Sequence, residues 1–393
     1  MILFFGACPP PITGQSLAME YAFENYKGEK KIVRITDNNE CVLFKILKNL
    51  LLIFIKIPLN IFLYRPKVVY ISASLNTVSS LRDVAAILLA KLIKANVILH
   101  LHNSCFKNLV TRYSFLESFY KWVYGKVDVF VTPTVELEVQ ITSFIKNADV
   151  IEIPYFYEPI LENITINQKI LHPKQKIKLL FLSNLLYSKG IIDLLNVFKK
   201  ISSEYSEVEL HIGGEFMGDE CKNYEEIKRL TAPFLKLTRV KFHGVVKGES
   251  KKKLLEACDI FILPTFYPAE LFPISIIEAM RAGLAVITTN HNDLKKIYPS
   301  SVVFVEKRNL EALTNAITDL IENPYRLDDI KTANMVYAKQ NYNLKDYSRK
   351  INKCIRQLDV QYKPLFVSYR KGSDKVVPNV SENISATEIV RTV

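Results

Sequence analysis

Glycine is scarce in this chain, with 12 in 393 residues. No G-x-G-x-x-G occurs, and "GGEFMGDE" (213–220) lacks the Lys-Ser/Thr that would complete a phosphate loop. The common dinucleotide fingerprint and ATP hydrolysis through a Walker loop are thereby excluded. H-E-x-x-H, C-x-x-C and D-x-D are missing too, which removes the usual zinc sites and the motif that holds a metal in metal-dependent nucleotide-sugar enzymes. There is no G-x-S-x-G elbow for a serine hydrolase. The six cysteines (Cys8, Cys41, Cys105, Cys221, Cys258, Cys354) show no paired spacing and sit mostly in apolar runs. That is the pattern of reduced, buried thiols in a cytoplasmic protein. A basic leader is absent as well, so "MILFFGACPPP" is read as a first strand rather than a signal peptide. The sequons at Asn163 and Asn379 are then incidental.

What is present begins with charge. A formal net charge of +12 calls for a partner of opposite sign: nucleic acid, a phosphorylated small molecule or an anionic membrane surface. The arginine-aromatic patterning of a nucleic-acid reader is missing, so no nucleic-acid partner is expected. "VLFKILKNLLLIFIKIPLNIFLYRPK" (42–67) is strongly apolar, but Lys45, Lys48 and Lys56 interrupt it and Pro58 is expected to break it, which makes a poor membrane span. Two readings stay open: a helix packed on the N-terminal sheet, or an apolar, basic surface lying peripherally on the inner face of a membrane.

Twelve short β-branched and aromatic runs alternate with helical patterns. Strands are expected at 2–7, 31–36, 68–72, 96–102, 127–132 and 149–153, and again at 177–183, 208–214, 240–246, 259–265, 284–289 and 301–306. Near-continuous apolar strands separated by helices indicate parallel sheets covered on both faces. Two such series in tandem predict an α/β chain of two doubly wound domains. The expected division is 1–160 and 177–343, joined by a polar, proline-bearing linker at 161–176. A last helix near 344–360 could pack back on the first domain, and 364–393 reads as a mobile tail. Ligands of such sheets bind at the carboxyl ends of the strands, so two facing domains would build a cleft there.

One strand end stands out: "DIFILPT" runs into the loop "FYPAELFP" and then the helical "ISIIEAMRA", stopped by Gly283. Glu270 sits in the loop. The amides of Phe272, Pro273's successor Ile274 and Ser275 open a helix, a place for phosphate oxygens. Glu278 lies about one turn in, where a carboxylate can accept hydrogen bonds from a ribose diol. The geometry suits a sugar nucleotide. Taken alone, the plainer account is preferred: a loop glutamate and a helix glutamate on a solvated face.

The whole segment "PTFYPAELFPISIIEAMRAGLAVITT" resembles the E-x7-E signature of the retaining GT-B glycosyltransferases usually called family 4. "LLFLSNLLYSKGIIDLLNVF" (179–198) resembles the family's strand, loop and helix in which a Lys-Gly, here Lys189 and Gly190, binds the donor diphosphate. "VKFHGVVKGESKKKLLEACDIFILPT" (240–265) resembles the segment beside the base. "PPPITGQSLAME" (9–20) resembles the glycine loop near the donor phosphates, here Gly14. "VILHLHNSCF" (97–106) resembles the strand end that supplies an active-site histidine, best matched by His102, with His100 as the fallback.

The resemblance covers the chain to about residue 360. It implies a GT-B fold with two Rossmann-like domains and a retaining, metal-independent hexosyltransferase with a nucleoside diphosphate sugar as co-substrate and no cofactor. The acceptor it implies is a lipid-linked saccharide in surface polysaccharide biosynthesis. His102, Glu270 and Lys189 would serve catalysis. Gly14, Asn184, Lys189, Phe272, Pro273, Ile274, Ser275 and Glu278 would bind the donor. Two positions depart from the family: Asn184 stands where an arginine often accompanies the lysine, and "ELFP" replaces "EGFG", with Pro273 removing one amide. The GT-B fold also hosts sugar-nucleotide epimerases, which is one alternative, and these departures support another, a catalytically silent partner subunit of a glycosyltransferase complex.

Overall fold

The computed structural model describes residues 1–9, 13–35, 42–74, 77–102, 104, 106–165, 176–292 and 294–360. The expected tail at 364–393 and linker positions 166–175 lie outside the described residues. All twelve expected strands are present. They are β1 (Ile2–Ala7), β2 (Lys30–Ile35), β3 (Val68–Ser72), β4 (Asn96–His100), β5 (Val129–Thr132) and β6 (Val150–Glu152), then β7 (Ile177–Leu182), β8 (Val208–Gly213), β9 (Val240–Phe242), β10 (Ile260–Leu263), β11 (Ala285–Thr289) and β12 (Val303–Val305). They form two six-stranded sheets, ordered β2-β1-β3-β4-β5-β6 and β12-β11-β10-β7-β8-β9, with every pairing parallel.

Alternation within the apolar strands feeds two layers. In β3, Val69 and Ile71 face one side and Val68 and Tyr70 the other, and all four are buried. The first side is covered by the helical segment 42–64 and by helices Thr77–Leu92, Phe106–Thr111, Ser114–Tyr124 and Val135–Phe144. The second is covered by helix Gly14–Asn25 and by the last helix, Leu344–Asp359. Tyr347 anchors that last helix by donating its hydroxyl to the Ala18 carbonyl at 3.0 Å, and Tyr347, Ile351, Ile355 and Leu358 bury the stripe. Asn343 caps its start, accepting from the Asp346 amide at 2.9 Å.

Three expectations need correcting. Pro58 does not break 42–64. A single π-helical turn (Leu52–Lys56) precedes it, and the Ile57 amide reaches back five residues to the Leu52 carbonyl, so the chain accommodates the proline ring without leaving the helix. Strand β4 stops at His100, which leaves His102 two residues beyond it in the loop. Strands β9 and β12 are three residues each, shorter than 240–246 and 301–306.

Candidate active site

Strand order decides where a ligand can sit. In the first sheet β1 lies between β2 and β3, and in the second β7 lies between β8 and β10, so connections leave to opposite sides at β1/β3 and β7/β10. These switch points open a crevice at the carboxyl ends of the strands. Gly14 follows β1, Asn184 and Lys189 follow β7, and the 264–275 loop follows β10. His102 follows β4 in the first sheet.

At β7/β10 the Lys189 ammonium is ion-paired with the Glu270 carboxylate, and the two side chains are only 13% and 8% exposed. Thr265 donates to the same carboxylate at 3.1 Å, and the ammonium lies 5.1 Å from the Tyr267 ring. The approach depends on Gly190. Its φ is +79°, and a Cβ there would lie 2.2 Å from the Pro264 carbonyl oxygen. Asn184 does not join the cluster: it is exposed, and its carbonyl accepts from the Leu186 amide. Arg308 supplies a further cation to this loop, donating to the Tyr187 hydroxyl at 2.7 Å and stacking on Phe266 at 4.8 Å.

A second wall joins the two halves. The His102 Nδ1 is 2.6 Å from the Tyr155 hydroxyl, and the rings stack at 8°. Tyr155 meets Phe272 edge to face at 5.4 Å. Gly14 completes the wall, for a Cβ there would lie 3.1 Å from the Ile274 Cδ1 and 3.9 Å from Tyr155. Helix Ile274–Arg281 starts at this point with Pro273 as N-cap and no side-chain cap, which leaves its first-turn amides without a capping side chain. Helix Gly14–Asn25 also begins here, capped reciprocally by Thr13 and Ser16.

His100 and His102 have ring centroids 4.0 Å apart. Burial pushes His102 down to about 3, and burial, then the neighbouring His102, pushes His100 well below the usual histidine range. Both are therefore neutral at pH 7. Each Nδ1 faces a phenol, Tyr70 at 2.5 Å for His100, and each Nε2 is buried without a partner among the described residues. With Nδ1 accepting from the phenol, the Nε2–H of His102 is a donor that no described residue accepts from.

Glu278 is not on a solvated face. It is 3% exposed, and the Lys251 ammonium donates to it at 2.7 Å while also pairing with Glu158 from the interdomain connection; that ammonium's residue is 9% exposed. Burial draws the Lys251 pKa down, but the Glu278 and Glu158 carboxylates push harder and leave it above the ordinary lysine value. Burial raises Glu278, and Lys251 only partly offsets this. Arg281, three residues on, is 1% exposed and donates to the Ile164 carbonyl at 3.0 Å and to the Glu162 carbonyl. The helix that carries Glu278 thus grips the connection between the sheets at two points.

Residues 162–342 match the family model described as glycosyl transferases group 1. An uncharacterized glycosyltransferase of Methanocaldococcus jannaschii is 31% identical over 137 residues, 34% of this chain and 33% of that protein. The phosphatidylinositol N-acetylglucosaminyltransferase gpi3 subunit of Schizosaccharomyces pombe is 24% identical over 184 residues, 46% of this chain and 38% of that protein. The chain thus aligns with only about a third of the length of these curated relatives. Among solved structures, HepE of Anabaena in complex with UDP-glucose superposes with a TM-score of 0.69 at 15% identity, covering 91% of this chain and 99% of that one. The fold of this chain is the GT-B arrangement of two parallel α/β domains.

Lys251, Glu158 and Tyr155 were not singled out by the sequence. Lys251 opens "KKK" and looks like a solvated run. The signal lay in its spacing, because Leu254 and Leu255 are buried at i+3 and i+4, which puts Lys251 on the apolar face of helix Gly248–Ala257. Glu158 and Tyr155 sit in an aperiodic connection, where no sequence pattern says which way a side chain points.

Proposed function

We propose that the protein is a retaining hexosyltransferase of the E-x7-E type, moving a hexose from a nucleoside diphosphate sugar to a lipid-linked oligosaccharide in surface polysaccharide assembly. The observation that carries this reading is the convergence of Gly14, Lys189, Glu270 and the uncapped start of the 274–281 helix on the switch points of both sheets. The family match at 162–342 and the fold shared with a UDP-glucose complex support the donor class, and the phosphatidylinositol-directed relative supports a lipid-borne acceptor.

In this scheme the diphosphate lies on the 273–275 helix start, and Lys189 exchanges its contact with Glu270 for the leaving phosphate. Fixed amide dipoles and a held ammonium stabilise the charge that develops as the sugar–phosphate bond breaks, without reorganising water. Glu270, released from Lys189, and His102 through its Nε2–H orient sugar hydroxyls. The acceptor attacks from the leaving-group face, a phosphate oxygen takes its proton, and no protein nucleophile is invoked. No metal is assigned to the transfer. Glu278 meets the ribose with the carboxylate oxygen that Lys251 leaves available.

A thermal-shift screen of UDP-, GDP-, ADP- and dTDP-sugars on the parent and on Lys189→Ala tests the reading. One nucleotide should raise the melting temperature of the parent, by the linkage that any ligand of the folded state obeys, and the shift should shrink in the variant. Absence of any response at millimolar donor would overturn it in favour of the silent subunit. Conversion of the donor sugar without acceptor would point to the epimerase.

A further inference from the structure

We propose that the outer face of the helical layer on the first sheet is a docking surface for an anionic lipid bilayer. The segment 42–64 is apolar nearly all round. Leu52, Ile57 and Ile61 are buried and tie it to the domain beside helix Thr77–Leu92, whereas Leu47, Leu50, Phe54, Ile55, Leu59 and Leu63 are exposed, Phe54 by 72% and Leu63 by 65%. It satisfies the length and composition of a membrane span over Leu47–Tyr64, but its buried stripe fixes it along the domain instead of through a bilayer.

The apolar surface continues on its neighbours. Leu92 is 71% exposed on helix Thr77–Leu92, which contacts helix Ser114–Tyr124 in turn. That helix shows Phe115, Phe119 and Trp122 outward, at i, i+4 and i+7, opposite the buried Tyr120, Val123 and Tyr124. Scattered exposed hydrophobics need no explanation, but three adjacent helices presenting them from one layer do.

Charge names the occupant. Residues 42–126 hold twelve Lys and Arg against two acids, Asp83 and Glu117, so ten of the chain's twelve net positive charges lie in this one segment. Asp83 is itself buried against Arg82. Lys56, Arg65, Lys67, Lys94, Lys107 and Lys121 are exposed around the apolar surface, and Lys126 lies 4.3 Å over the Trp122 ring. A second copy of this chain would bring the same positive field and be repelled, whereas an anionic headgroup layer with an acyl interior complements both features. Only in naming the bilayer as carrier of the acceptor does this rest on the function proposed above. The layer reaches the crevice at Ser104, between His102 and the Phe106 helix, where the hydroxyl donates to the Pro268 carbonyl at 3.2 Å.

Trp122 is the chain's single tryptophan and serves as a built-in reporter. The full chain is mixed with vesicles of phosphatidylcholine alone or with 30% phosphatidylglycerol, without donor or acceptor, and pelleting and Trp122 emission are read. Anionic vesicles should pellet the protein and shift the emission to the blue, with binding falling steeply between 0.1 and 0.5 M salt. Phe54→Glu with Leu63→Glu should lower partition at least tenfold while the melting temperature stays that of the parent. Lys121→Glu alone should lower it at least fivefold. Equal binding to neutral vesicles, no blue shift, or a concentration-dependent dimer that shields Trp122 with no lipid response would each overturn the proposal. A failed nucleotide screen leaves it standing, and a failed vesicle assay leaves the donor site standing.

Discussion

Lys251→Met removes the one cation shared by Glu158 and Glu278 while keeping a side chain of similar length. Two carboxylates then face each other in a site where Glu278 is 3% exposed. Removing one partner of a buried pair costs about 3–5 kcal/mol, because an uncompensated charge is left behind. For a domain of this size each kcal/mol moves the melting temperature by about 2–4 °C, so a drop of roughly 10 °C is expected at pH 8. The cost must ease in acid, because a proton shared between two carboxylates replaces the lost ammonium. At pH 5.5 the gap between parent and variant should therefore narrow by half or more, and Glu278→Gln in the Lys251→Met background should restore most of it at pH 8. Thermal unfolding of the three proteins at the two pH values is the assay. A drop below about 3 °C at pH 8, or a gap that does not respond to pH, would refute the view that Lys251 holds two buried charges together.

Two shorter predictions follow from the crevice. Because His102 is held neutral with its pKa pushed down to about 3, the unfolded chain takes up a proton below about 6.5 that the folded chain refuses. Its contribution is full above that pH and is lost as pH falls toward 3, at up to about 1.4 kcal/mol per pH unit. Urea unfolding of the parent should thus steepen below pH 6.5 relative to His102→Asn, and parallel curves would contradict it. Gly190→Ala should destabilise by about 2 kcal/mol or more, since φ is +79° and the new methyl would strike the Pro264 carbonyl. The donor KM should rise with it as Lys189 shifts, so a stable variant with parental KM would show that the loop has slack.

The layered fold was legible because both sheets are parallel and covered on both sides. "VVYIS" and "IKLLFL" carry apolar residues at every position, and no amphipathic alternative competes for them. Strand order was not legible, because nothing local to β7 says that β10 rather than β9 will lie beside it. Yet that order places Gly14, Lys189 and Glu270 on the switch points. Pro58 was misread for a related reason: a proline's usual effect is local, whereas the π turn before it is stabilised by Leu52, Ile57 and Ile61 packing on the domain.

The two glutamates of "AELFPISIIEAMRAG" turn out to share a task before any ligand arrives. Glu270 neutralises Lys189 from the β7 loop, and Glu278 neutralises Lys251 from the 248–257 helix. Each pair is buried, and neither cation would be tolerated there alone. The pairs differ in what can replace the carboxylate. Among the described residues Lys189 has Glu270 as its acidic partner, so under the proposed function an arriving diphosphate would take it over while Glu270 keeps the Thr265 hydroxyl. Lys251 has two partners, one of them on the connection between the sheets, so its site keeps a cation and an anion whatever binds. On that proposal the first pair exchanges and the second persists. Lys189→Ala should therefore damage donor binding more than stability relative to Lys251→Met, whose main loss should be in stability.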